Sequence, residues 1–91
     1  MNNKENLTLI DGTFNPTDAQ ELLLNVFSTK IQFHNLKNFS AKERFGKEDK
    51  ASSLRISQLR TDIEKVLAII ADAKVNNKIL HISSVIQISM S

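Results

Sequence analysis

Ile56-Ser57-Gln58-Leu59-Arg60-Thr61-Asp62-Ile63-Glu64-Lys65-Val66-Leu67-Ala68-Ile69-Ile70-Ala71-Asp72-Ala73 carries the strongest periodic signal in the chain. Ile56, Leu59, Ile63, Val66, Ile70 and Ala73 recur at alternating steps of three and four, the spacing that holds one stripe of a helix against a partner helix. Leu67 and Ile69 widen the stripe, so this helix is expected to meet more than one neighbour, and Asp62, Glu64, Lys65, Asp72 and Lys74 supply its wet face. Asn76-Asn77-Lys78 ends it, because asparagine tolerates the left-handed conformation and lysine suits the negative end of the helix dipole.

A second helix precedes it. Asn15 is a good N-cap, Pro16 suits the first helical position, and Asp18 places negative charge in the first turn. Leu22, Leu23, Val26, Phe27 and Ile31 then follow helical spacing, His34 continues that stripe, and the pattern fades near Asn38, which predicts a helix over roughly residues 16–37. Ser40-Ala41-Lys42-Glu43 has the spacing of a capping box and predicts a separate helical turn that stops at Gly46. Phe39 and Phe45 flank that turn, so the connection over about 38–52 is expected to fold back on the helices. Asp49, Ser52 and Ser53 are alternative caps for the next helix.

Strands flank the helices. Leu7 to Phe14 is rich in β-formers and meets the turn residues Asn15-Pro16. At the other end Leu80, Ile82, Ser84, Ile86, Ile88 and Met90 alternate with His81, Ser83, Val85, Gln87 and Ser89, the period of a half-buried strand. The predicted fold is therefore α+β, in the order β-α-α-β: a long antiparallel helical hairpin packed on a small antiparallel sheet. The last strand is long for its kind, the first is expected not to cover it, and an isolated two-stranded ribbon is weak in water. Pairing with a second copy is thus expected to complete a four-stranded sheet, with Leu80, Ile82, Ile86 and Ile88 as candidate dimer-interface residues.

With 91 residues, 41% hydrophobic and 24% charged, the chain is expected to form one domain over 1–91 with a short disordered start over about 1–5. A domain this small buries a modest share of its surface, which also favours association. The absence of cysteine excludes disulfides, thiolate zinc sites, iron-sulfur clusters and a cysteine nucleophile. There is no apolar leader and no stretch of bilayer-spanning length, so a cytoplasmic protein without membrane contact is expected.

Asp11-Gly12-Thr13-Phe14-Asn15-Pro16, Phe33-His34-Asn35-Leu36-Lys37 and Arg44-Phe45-Gly46 resemble a family of short uncharacterised bacterial proteins with no assigned activity. The resemblance covers nearly the whole chain and implies no substrate, cofactor or functional residue.

The chemistry-bearing residues point the same way. His34 and His81 are far apart and in no metal-binding spacing, so no metal site and no cofactor are expected. His34 reads as a structural histidine bonded to a backbone carbonyl or Asn35, and His81 as a solvated or interface residue. The serines lack a nucleophile elbow, two isolated glycines cannot form a phosphate loop, and no catalytic motif is found. Asp11, Asp18 and Glu21 are explained by the helix dipole. The expected function is a small non-enzymatic interaction or assembly module whose partner is a second copy or another protein. The alternative is a phosphate- or nucleic-acid-binding protein using Lys42, Arg44, Lys47, Arg55 and Arg60 on the basic inter-helix loop and the start of the second helix. The formal charge of +2 is too near balance to favour nucleic acid.

Overall fold

The computed structural model describes residues 3–90. Its elements run β1 (Asn3–Phe14), α1 (Pro16–Phe45), α2 (Lys50–Val75) and β2 (Leu80–Met90). The strands pair antiparallel, and the helices form an antiparallel hairpin between them. This is the β-α-α-β arrangement that the periodicities predict.

The helix ends follow local chemistry. Asn15 caps α1 by accepting from the Asp18 N–H at 2.8 Å, with Pro16 next to it. Gly46 ends α1 at φ 75°, where a side chain would be strained, and its N–H reaches the Lys42 carbonyl at 2.9 Å. Of the three candidate caps for α2, Asp49 takes the position and accepts from the Ala51 N–H. At the far end Asn77 sits at φ 53°, and the Lys78 N–H reaches back to the Ala73 carbonyl at 2.8 Å. Together they close the helix with a left-handed turn.

The core lies along the helical seam. Ile56, Leu59, Ile70 and Ala73 of α2 are buried, as is Ala19 of α1, and Ile63 and Val66 are half-buried between them. Leu23, Leu24, Phe27 and Ile31 face them from α1, also half-buried. Ridge-and-groove packing at these steps aligns the two helices along their length.

Three expectations are corrected. Residues 38–45 belong to one continuous 30-residue α1, so the loop shrinks to 46–49 and the Ser40 capping box lies inside a helix. The inward stripe does not stop at Asn38; it continues at the same spacing through the half-buried Asn38 and Ala41, polar and small rather than aliphatic. Phe39 and Phe45 consequently sit on α1 and are exposed instead of folding back. Residues 3–5 are strand, not disordered, while the rest of the expected disordered start lies outside the described residues. Finally, β1 covers β2 from Phe14 opposite Leu80 to Asn3 opposite Met90, so no overhang is left for another chain to pair.

The ribbon is covered unevenly. Ile10, Gly12 and Phe14 with Leu80, Ile82 and Ser84 are half-buried, whereas every residue from Asn3 to Leu9 and from Val85 to Met90 is exposed. Between Thr8 and Ile10 the register slips by one residue, leaving Leu9 as the extra residue of a bulge. The slip changes the parity of β1, so Leu7 rather than Thr8 stands opposite Ile86 on the helix-facing side of the ribbon. That side therefore runs on beyond the helices as Leu7, Ile86, Ile88 and Met90, with Glu5 and Asn3 opposite the last two.

Because burial is concentrated in the seam, substitutions there should dominate stability. Ile70→Ala is expected to cost about 2–5 kcal/mol in urea unfolding, while Leu54→Ala, on the exposed side of the same helix, should stay within about 0.5 kcal/mol of the parent.

Candidate functional site

The loop end of the hairpin carries polar side chains where the rest of the seam is aliphatic. Ser52 and Ser53 stand one turn before Ile56, opposite His34 and Asn38. The Ser52 hydroxyl donates to the Asp49 carboxylate at 2.9 Å. Its one proton is thereby used, so the 3.2 Å contact with His34 Nδ1 requires the imidazole to donate. Asn38 Nδ2 donates to Ser53 Oγ, which donates to Glu48, both at 3.2 Å. His34 thus bonds to a serine of the opposing helix rather than to a backbone carbonyl or Asn35.

This order of contacts excludes a catalytic relay. In a hydrolytic triad the carboxylate orients the imidazole, which takes the proton of an accessible serine. Here the carboxylate binds the serine, and Ser52 is only 2% exposed, so no substrate carbonyl can reach its oxygen. With Nδ1 carrying the proton, His34 Nε2 is a lone pair, and it is buried without a partner. Burial, then the neighbouring Lys30, Lys37 and Arg55, hold this imidazole below its ordinary pKa of 6.5, opposed by Asp49. Lys30 and Lys37 lie over the Phe33 ring, 5.1 and 5.9 Å from its centre, which keeps both ammonium groups near His34. His81 is elsewhere, on the outer side of the ribbon, 3.5 Å from Asp11 in an exposed pair of little energetic weight. Among the described residues no cluster of side chains could hold a metal ion.

Beside the polar network, an open cavity of about 580 Å³ lies against the loop, bounded by Lys37, Arg44, Lys47 and Lys50 with Ala41 and Phe45. Glu48 and Asp49 also border it, but each accepts a hydrogen bond from a serine of α2. The five expected anion-binding residues do not form one site. Arg44 and Lys47 meet at this cavity, whereas Lys42 is exposed on α1 outside its lining, Arg55 donates to Gln58 at 3.1 Å, and Arg60 is exposed further along α2. Lys37 and Lys50 join the site instead. Both belong to the basic residues that accumulate between the helices in sequence, and the continuous α1 is what brings Lys37 within reach of Arg44.

The four candidate interface residues divide as well. Leu80 and Ile82 are half-buried against the helices, while Ile86 and Ile88 are 40% and 52% exposed. A groove of about 310 Å³ opens beside the first pair, lined by Leu23, Val66, Ile69, Ile70, Leu80 and Ile82 together with His81 and Ser83. No side chain of β1 borders it, which puts it on the outer side of β2. Comparison of the chain with protein-family models, with curated proteins and with solved structures finds no match.

The His34 assignment fixes a sign for pH dependence. The folded-state pKa is lowered and the unfolded value is about 6.5, so the unfolded chain binds the extra proton first as pH falls. Stability is expected to be full above about pH 6.5 and to decline below it until His34 protonates in the folded state. His34→Leu should remove that part of the decline in urea unfolding measured from pH 7.5 downward. An NMR titration of the His34 ring should give a midpoint below 6.5.

Proposed function

We propose that the protein is a small interaction module without enzymatic activity that works as a homodimer assembled through its sheet. The exposed distal half of the ribbon carries this reading: Leu7, Ile86, Ile88 and Met90 share one side and are 40–61% exposed. An apolar strip along the end of a two-stranded ribbon, flanked by Glu5 and Asn3 on β1 and with unpaired backbone groups on both outer edges, is a surface that proteins cover. The whole-chain dimensions agree. Accessible surface is 7222 Å², against about 5,400 Å² for a compact monomer of this mass, an excess of about 1,800 Å². A standard interface removes about 800 Å² per partner, so the excess is large enough to supply one. The radius of gyration, 16.6 Å, likewise exceeds the roughly 12 Å of a compact domain this long. No helix among the described residues is long and apolar enough to cross a membrane.

A second reading rests on the loop cavity, where Lys37, Arg44, Lys47 and Lys50 surround an apolar floor with no ion pair to any of them among the described residues. That arrangement suits a phosphate-bearing ligand, the guanidinium of Arg44 binding two oxygens at once.

Ile86→Lys tests the first reading, because residue 86 lies beyond the helices and its substitution leaves the core intact. Light scattering after size exclusion is expected to show a monomer with unchanged helical circular dichroism. A dimer of unchanged strength would contradict the proposal, and Ile88→Lys repeats the test should the first variant misfold. For the second reading, a short single-stranded oligonucleotide should bind with a salt slope that Arg44→Glu together with Lys47→Glu reduces by about two; absence of binding by the parent protein would dismiss it.

A further inference from the structure

The two outer edges of the ribbon are not equivalent. Along β1 the edge carries Lys4, Glu5, Asp11 and Gly12 and is broken by the bulge at Leu9. Charges and bulges are the devices that keep an edge strand from pairing. Along β2 none of them is present: Leu80–Met90 reads LHISSVIQISM, with no Asp, Glu, Lys, Arg, Gly or Pro over 11 residues, and all register irregularity lies outside it. The outer side of β2 also holds the largely apolar groove lined by Leu23, Val66, Ile69, Ile70, Leu80 and Ile82, with His81 and Ser83 beside them.

We infer that the β2 edge is the dimer edge, that it pairs antiparallel with β2 of a second copy about a two-fold axis at Val85, and that the groove receives the partner's strand end. The inference rests on the homodimer proposed above and adds its geometry. A two-fold antiparallel pairing over the full strand places Leu80 opposite the partner's Met90, Ile82 opposite its Ile88 and Val85 opposite itself. Opposed residues share a face, so the partner's Ile88 and Met90 arrive on the helix-facing side, next to the groove bordered by Leu80 and Ile82. The same side chains that lie uncovered at the distal end of one copy thereby fill the opening at the proximal end of the other, twice over by symmetry. The sheet becomes four-stranded in the order β1-β2-β2-β1, and its outer edges are the charged, bulged β1 strands, which stop further addition. Pairing through β1 would instead leave the unprotected β2 edges outermost and both grooves empty.

The chain has no cysteine, so single thiols report position directly. Val85 and Thr8 are cross-strand partners at the same level of the ribbon, and both are exposed. In the inferred dimer the two copies of residue 85 face each other about 5 Å apart, while the two copies of residue 8 are separated by three strand spacings, about 14 Å. With a short homobifunctional thiol reagent, Val85→Cys should be trapped as a covalent dimer and Thr8→Cys should not. Ile69→Glu, at a groove position exposed in the single chain, should weaken the dimer at least tenfold in sedimentation without loss of helical content. A dimer by mass that is trapped at Thr8→Cys, or at neither position, would overturn the edge assignment and leave the homodimer standing. A monomer by mass would overturn both.

Discussion

The seam between the two helices is the constraint on which the rest of the structure depends. Among the described residues, four of the five buried apolar side chains, Ile56, Leu59, Ile70 and Ala73, lie on one stripe of α2, and the fifth, Ala19, comes from α1. Burying one stripe on another aligns the helices antiparallel, and that alignment brings the chain ends together so that β1 and β2 can pair. The strands add backbone hydrogen bonds but little burial, since the helices cover only the half of the ribbon nearest to them. A chain of this size that spends its apolar residues on one seam and one ribbon is left with apolar surface outside both. That leftover surface includes the exposed distal half of the ribbon.

The polar end of the seam does a different task from the aliphatic part. His34 with Ser52, and Asn38 with Ser53, join opposing helices at one end, and Lys74 reaches Gln20 at 3.3 Å near the other. Sliding one helix by a turn would leave the buried hydroxyl of Ser52 and the imidazole without partners, a cost that aliphatic pairs do not impose. Polar residues at seam positions fix register in this way at some expense in stability. The expense is visible in the unpartnered His34 Nε2 and Asn38 Oδ1.

Much of the fold was legible in the sequence because the relevant residues signal locally. The three-four spacing from Ile56 to Ala73, the Asn15-Pro16 start, the stop at Gly46 and the alternation after Leu80 each correspond to an observed feature. What was not legible depended on a partner. Asn38 looks like the end of a stripe until Ser53 stands opposite it, and Asn3 to Asn6 have no strand character of their own until β2 supplies the pairing. The Leu9 bulge leaves no composition signal, yet it decides that Leu7 joins Ile86. For the same reason the basic residues from Lys37 to Arg60 form one group in the sequence, although the fold gathers Lys37, Arg44, Lys47 and Lys50 and turns the others elsewhere.

The proposed association through the sheet would tie these observations together, since it would cover the exposed ribbon and account for a surface larger than a compact monomer of this length presents. Sedimentation equilibrium of the unmodified protein over the micromolar range tests it most directly. The proposed homodimer should give a mass near twice the 10.3 kDa of the chain. A single species of 10.3 kDa at every concentration would contradict it.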